Sequence, residues 1–296
     1  MKSNNITTPR FSIIIPTYNT EFVLDECLKA LCIQSQKKAA FEVIVVNDGG
    51  NDKTKEIVQK YNNKISIQYL YQENNGPAAA RNFGIKNSKG EIILFIDDDS
   101  LPTHNWFEST VDAWNKYPDY DGIGGYTTYD MDESIYCRVN SNFFNWYLRQ
   151  YADDQQHPFL VTCNAGYKKS VLEKVNYFDE SYKRASGEDR DLNIKIARIG
   201  GKLRLDKNIL VYHDRDLTFK SNTKKHYYYG KAAYNIYTRY PELARLDRSA
   251  YIDLYVSVLK KYHTFREKIL AVFLITLSQA CTFAGYHIAR FYSKEK

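Results

Sequence analysis

Three aspartates in a row, Asp97, Asp98 and Asp99, follow directly on the apolar run EIILFI at 91–96. Three like charges at one point repel one another unless a cation sits among them. Hard carboxylate oxygens suit Mg2+ or Mn2+, with phosphate oxygens completing the shell; a solvated loop or helix cap is the ordinary use of a lone Asp-Asp pair. Upstream, Gly76 and Pro77 open a helical stretch and Arg81 stands one turn inside it. A helix N-terminus with a guanidinium makes a diphosphate site, whereas on its own Arg81 would be a surface residue of an amphipathic helix. Further on, Gly187-Glu188-Asp189 sets two acids at the start of a helix. Such acids complement the macrodipole without any chemistry. A carboxylate whose pKa is raised by burial or by a neighbouring acid is also what a hydroxyl nucleophile needs as its general base.

Positioning these groups takes a regular framework, and the first hundred residues supply one. Apolar, β-branched runs at 11–15, 41–46, 65–71 and 91–96 alternate with helical patterns at 21–34, 52–61 and 77–85. The first helix is expected to turn Phe22, Leu24, Leu28, Leu31 and Cys32 inward. Near-continuous apolar strands joined by helices predict a buried, mostly parallel sheet with right-handed crossovers. Ligands then bind beyond the carboxyl ends of the strands. Those ends read Pro16-Thr17-Tyr18-Asn19, Asn47-Asp48-Gly49-Gly50 and Asp97-Asp98-Asp99, so polar, acidic and aromatic residues converge on one edge. Beyond residue 105, helices are expected at 106–117, 140–151, 168–175, 187–199, 220–240 and 251–261. Strands are expected at 122–128, 159–163, 203–205 and 209–212.

The segments PTYN, VNDGGND, NNGPAAARNFGI, FIDDDSLP, CNAGYKKSVLEKVNYFDE and GEDRDL follow one another over about residues 10–215. Together they resemble the successive motifs of family 2 glycosyltransferases with the GT-A fold. The resemblance implies an α/β fold with a Rossmann-like, mostly parallel sheet flanked by helices and a C-terminal helical extension. It divides the chain into a catalytic domain at 1–215 and a basic helical region at 216–296. Within the former, 10–100 binds the nucleotide sugar and 101–215 the acceptor. It implies an inverting transfer of a sugar from a nucleotide-diphosphate donor, a UDP-sugar first, with Mn2+ or Mg2+ as cofactor.

Residue by residue, Pro16, Thr17, Tyr18 and Asn19 would hold the nucleotide, Thr17 and Tyr18 at its base. Asp48 would accept a hydrogen bond from the base, although an Asx-turn with Gly49 would also use it. A second acid commonly precedes that position; Asn47 stands there. Gly76 and Arg81 would meet the diphosphate. Asp97 and Asp99 occupy the DxD positions, Asp97 toward the ribose and metal and Asp99 on the metal, with Asp98 the variable middle residue. His213 falls where such enzymes place a metal-completing histidine, an imidazole suiting Mn2+ better than Mg2+. Asp189 would be the base and Glu188 would orient it or touch the acceptor. Lys220, Lys224, Lys225 and Lys231 could cover the leaving diphosphate or form a solvated face. No Q-x-x-R-W follows, so a single transfer is expected rather than polymerisation.

Composition narrows the rest. The 296 residues, 44% hydrophobic and 26% charged, exclude a disordered or collagen-like chain. The five cysteines form no CxxC pair, and no signal-like stretch opens the sequence, so a reduced cytoplasmic location is expected. Between Arg215 and Lys268, twelve Lys/Arg stand against five Asp/Glu, which leaves +7 there, while the whole chain carries +6. Residues 269–289 lack any charged side chain. Thr276, Gln279, Thr282, Tyr286 and Arg290 make one stripe, and Phe273, Leu277, Ala284, Ile288 and Phe291 lie opposite. The helix at 269–292 is therefore expected on the inner face of the membrane, with a dimer-forming helix second and a true span third. A lipid-linked or cell-envelope glycan acceptor follows, and 143–151 offers an aromatic wall for it, although core packing is the commoner use. The rivals are a sugar-1-phosphate nucleotidyltransferase, which would release pyrophosphate and lacks its Gly-rich loop here, and a non-enzymatic basic scaffold. Nucleic acid is not expected as a partner, and no GxGxxG supports a dehydrogenase.

Overall fold

The computed structural model describes residues 9–34, 41–130, 133–151, 159–184, 186–213, 217–243 and 248–293. The N-terminal stretch read above, the 215/216 boundary, and Arg215, Asp216, Arg245 and Asp247 of the basic block lie outside the described residues. In chain order the elements are β1 (Phe11–Thr17), α1 (Glu21–Gln34), β2 (Phe41–Asp48), α2 (Thr54–Gln59), β3 (Ser66–Gln72), α3 (Pro77–Asn87), β4 (Ile92–Phe95), β5 (Leu101–Pro102) and α4 (Trp106–Lys116). There follow β6 (Gly122–Thr128), α5 (Ile135–Gln150), β7 (Ala165–Lys168), α6 (Lys169–Lys174), α7 (Glu188–Arg198), β8 (Leu203–Tyr212), α8 (Phe219–Arg239), α9 (Arg248–Leu259) and α10 (Phe265–Ser293).

Among the described residues these strands form one eight-stranded sheet in the order β3-β2-β1-β4-β7-β6-β8-β5. β1 pairs in parallel with β2 and β4, and β2 with β3. β7 enters antiparallel between β4 and β6, so the sheet is mixed rather than mostly parallel beyond β4. The apolar runs are continuous because both faces are covered. Ile13, Ile15, Val43 and Val45 pack under α1, α2 and α4, while Ile14, Ile44 and Val46 pack under α3, α6 and α7.

Three expectations are corrected. Phe22 is 82% exposed; α1 buries Leu24, Cys27, Leu28 and Leu31 instead, a helical spacing that leaves position 22 outside the stripe. Residues 159–163 are not a strand. Their apolar pattern reflects burial of Phe159, Val161 and Cys163 against Leu148 and Tyr151, and the strand begins only at Ala165. The segments at 203–205 and 209–212 are one strand, β8.

The C-terminal helices form a layer of their own. Val139 and Trp146 of α5 pack with Leu254 and Val258 of α9 and Ala271, Leu274 and Ile275 of α10. Trp146 Nε1 donates to Asp253 at 2.9 Å, and Arg138 pairs with Glu267 at 3.0 Å. α8 and α10 cross where two glycines meet: a Cβ on Gly230 would stand 1.9 Å from Thr282 O, and one on Gly285 2.0 Å from Tyr227 O. Only glycine admits that approach. As a result part of the polar stripe of α10 packs against its neighbours, while Thr276 and Arg290 stay exposed. Asn222 donates to Ser278 Oγ, the Tyr255 and Thr276 hydroxyls lie 3.0 Å apart, and Tyr286 stacks edge-on against Tyr234. Phe273, Phe283 and Phe291 are exposed.

Candidate active site

The carboxyl ends of β1, β2 and β4 are tied into one corner by side chains. At the end of β1, the Thr17 and Thr20 hydroxyls lie 2.9 Å apart, and Thr20 donates to Asp98. Asn19, at positive φ, accepts from Asn51 N at 3.0 Å, which joins this loop to the one after β2. At that loop, Asn47 closes the turn by accepting from Gly50 N at 2.7 Å. Asp48 makes no Asx-turn with Gly49. Its Oδ1 accepts from Gln72 Nε2 and Asn75 N, and its Oδ2 from Gly76 N at 2.9 Å, so it fixes the start of α3. Gly76 itself holds φ 92° with the Lys183 backbone against its open side. Tyr18 stays 51% exposed, its ring free to stack, whereas Thr17 is buried.

The three aspartates part company. Asp98 turns toward Thr20; burial, then the charge of Asp99, push its carboxyl up to about 7. Asp97 and Asp99 instead gather with His213 at the end of β8. His213 Nε2 lies 3.7 Å from Asp97 Oδ2 and 3.4 Å from Asp99 Oδ1, and one donor atom from each residue falls within 4.8 Å of the others. Two carboxylates and an imidazole are a donor set that Mn2+ accepts readily and Mg2+ less so, and the two aspartates leave room for further oxygens. Burial alone would raise Asp97, but His213 and Arg81 hold it down at about 2.

Arg81 is not a surface residue. It is 2% exposed, and its two terminal nitrogens reach Asp97 Oδ1 at 2.8 Å and Glu188 Oε1 at 2.9 Å. α3 thereby links the aspartate corner to the first turn of α7, which follows Gly187 at φ 92°. Glu188 is committed to this pair, and burial raises its pKa in spite of Arg81. The carboxylate of Asp189, one residue on, has one polar contact among the described residues, the N–H of Arg190 at 2.7 Å. Burial and then the charge of Glu188 push Asp189 up to about 7. A carboxyl at that value can both lose and hold a proton near neutrality.

Asp97, Asp189, Arg81 and His213 line one cavity of about 930 Å3, whose opposite wall is aromatic: Phe143, Phe144, Trp146, Tyr147, Tyr151 and Phe159. The aromatic stretch on α5 is thus cavity wall as well as core. Thr276, Gln279, Thr282 and Tyr286 of α10 also line this cavity. None of Lys220, Lys224, Lys225 or Lys231 lines it; Lys225 and Lys231 rest near the rings of Tyr229 and Tyr227. Sequence reasoning missed Arg190, whose guanidinium stands in the aromatic wall beside Asp189. Its place within GEDRDL, next to the acids, was the available signal.

Known proteins resemble this chain in sequence and in fold. A glycosyltransferase of Rickettsia typhi, itself uncharacterised, is 33% identical over 227 residues, 75% of this chain and 66% of that protein. The poly(ribitol-phosphate) β-N-acetylglucosaminyltransferase TarS of Staphylococcus aureus is 44% identical over 92 residues, 30% of this chain and 16% of TarS. The chain spans just under two thirds of the length of its Rickettsia relatives, at 65% and 66%. Among solved structures, a mannosyltransferase of Pyrobaculum calidifontis in complex with GDP-Man and Mn2+ superposes with TM-score 0.63 at 17% identity, over 96% of this chain and 86% of that one. TarS residues 1–349 with UDP-GlcNAc superpose with TM-score 0.54 at 18% identity, over 97% and 92%. At such identities the superpositions speak for the fold, which is GT-A-like. The model of the family described as "Glycosyl transferase family 2" matches residues 12–175, more than half of the chain, and takes in the strand-end motifs described above: the chain belongs to that family.

Proposed function

We propose that the chain is a metal-dependent, inverting glycosyltransferase that moves one sugar from a nucleotide-diphosphate donor, a UDP-sugar first, to an acceptor hydroxyl. The observation that carries this reading is the meeting of Asp97, Asp99 and His213, of which Asp97 and His213 line the cavity that Asp189 also lines. A divalent cation held by those three residues would offset the charge of the departing nucleotide diphosphate. Tyr18 would stack on the base, with Pro16, Thr17, Asn19, Asp48 and Gly76 shaping its pocket and Asp98 bracing the loop through Thr20. Arg81, already holding Asp97, would keep that carboxylate charged and aimed. Asp189 would take the acceptor's proton as the hydroxyl attacks the anomeric carbon in line, the bond to the diphosphate breaking as the new glycosidic bond forms. Glu188, fixed by Arg81, keeps Asp189 basic through its charge.

The acceptor we infer is a cell-envelope glycan or its lipid-linked precursor. TarS, by its name, transfers N-acetylglucosamine to poly(ribitol-phosphate), and the exposed phenylalanines of α10 favour work at a membrane surface. Lys260 and Lys261, exposed after α9, and Arg266, exposed in the first turn of α10, would meet an anionic inner leaflet at about 1 kcal/mol for each that reaches it. Among the described residues α10 is the one helix long and apolar enough to cross a membrane. Its close fit to α8 favours lying on the surface over spanning. A homodimer through the same face is the second use of it. The division into a catalytic part to 215 and a basic helical part beyond belongs to this reading.

The test is a donor screen across UDP-, GDP- and dTDP-sugars, scoring released nucleotide with and without Mn2+. Release of a nucleoside diphosphate from one donor, dependent on the metal, is expected. Conversion of a donor to nucleoside triphosphate and sugar 1-phosphate when pyrophosphate is added would favour a nucleotidyltransferase, and no turnover with any donor would contradict the proposal.

A further inference from the structure

Among the described residues, Arg190 is the charged side chain lining the cavity that the reading above leaves without a task. Its guanidinium carbon stands 4.8 Å from the ring centre of Tyr151, 5.7 Å from those of Phe159 and Tyr237, and 5.9 Å from that of Tyr147. It donates to the hydroxyls of Tyr147 and Tyr151. Among the described residues it forms no ion pair with a carboxylate, and Asp189 takes only its backbone N–H. Arginine cannot shed its proton to escape burial. Ring faces and hydroxyls repay only part of the loss of water. The remainder is recovered when an anion comes to the cavity side of the guanidinium.

The cage continues as an aromatic path away from the acids. Tyr147 meets Phe143 at 6.5 Å between ring centres, Phe143 meets Trp146 at 6.1 Å, and Trp146 meets Tyr251 of α9 at 6.5 Å. Tyr251 is partly open to solvent, as is Phe283 of α10, and both line the same cavity. One cavity thus runs from Asp189 and Arg190, over ring faces, to the apolar outer side of the C-terminal helices.

We propose that Arg190 is the anion subsite of an acceptor channel, gripping the phosphate of an amphiphile whose apolar chain lies along Tyr147, Phe143, Trp146 and Tyr251 toward α9 and α10. This rests on the glycosyltransferase reading and narrows its acceptor to a phosphate-bearing lipid. Bidentate donors from a fixed guanidinium suit a phosphate, and a run of rings with few polar groups suits a hydrocarbon chain.

The test uses the full chain and three probes: decyl phosphate below its micelle concentration, a neutral decyl glucoside, and inorganic phosphate, each titrated by calorimetry. Mn2+-UDP binding measures whether each variant is folded. Decyl phosphate is expected to bind at least about tenfold more tightly than either other probe. Arg190→Gln should bring it to the level of the glucoside, with Arg190→Lys between. Tyr251→Ala should weaken both decyl probes alike. Equal binding of decyl phosphate by Arg190→Gln and the parent chain would overturn the proposal, as would inorganic phosphate matching decyl phosphate, which marks a free-anion site. Should Arg190→Gln not fold, the preference of the parent chain among the three probes and the Tyr251→Ala result decide alone. Absence of decyl phosphate binding with Mn2+-UDP binding intact sinks the channel and spares the transferase reading; the reverse pattern does the opposite.

Discussion

Arg81 and Arg190 line the same cavity and are built in opposite ways. Arg81 is clamped between Asp97 and Glu188 within the hydrogen-bonded corner where the strands end. Arg190 stands among rings in the wall made by α5 and the residues after it. The first region is neutralised and cross-tied: Thr20 to Asp98, Asp48 to Gly76, Arg81 to both acids. The second has bulk and, among the described residues, a guanidinium with no carboxylate partner. A site that must hold a highly charged donor in one pose gains from a rigid polar frame. A site that must admit a large, partly apolar acceptor gains from ring faces that bind by shape.

The contrast can be broken in several places, the largest effect first. Asp189→Asn should keep Mn2+-UDP binding and lower transfer by roughly 10²–10⁴-fold, the usual worth of a positioned general base; single-turnover assays with saturating donor measure it. Next, Arg81→Met strands Glu188 and should cost about 3–5 kcal/mol in urea unfolding. Arg190→Met, which removes a charge that has no carboxylate partner among the described residues, should cost clearly less. Equal losses would erase the distinction between the two arginines. A smaller effect is expected from pH. Asp189 must be deprotonated to accept a proton, and its pKa lies near 7. Transfer should therefore rise as pH climbs through 7 and fall about tenfold for each unit below it. A flat profile from pH 5.5 to 8 would remove Asp189 from the role of base. The smallest effect concerns the membrane: Phe273→Glu with Phe291→Glu should cut flotation with anionic vesicles severalfold while leaving Mn2+-UDP binding unchanged.

Much of the polar region was legible in the sequence, and less of the aromatic one. Strand ends in a buried sheet are local: an apolar run followed by Pro-Thr-Tyr-Asn or Asp-Asp-Asp reveals both the strand and its ligand edge. Partners across the fold are not local. Nothing in the spacing says that Arg81 meets Glu188, 107 residues away, or that Asp98 turns from its neighbours to Thr20. The apolar pattern at 159–163 was ambiguous for the same reason: burial against Tyr151 looks, in one dimension, like burial in a sheet. The polar stripe of α10 reads as a water-facing side until Gly230 and Gly285 let α8 close on it. Arg190 was hidden by its surroundings, since four rings from three separate segments make its cage.

The central claim is that Asp97, Asp99 and His213 hold the cation that grips a nucleotide diphosphate. Electron paramagnetic resonance of Mn2+ titrated into the protein with UDP tests it most directly. The parent chain should take up one Mn2+ per chain only when UDP is present, and Asp99→Ala should leave the ion free at the same concentrations. Mn2+ bound equally well by Asp99→Ala would contradict the account.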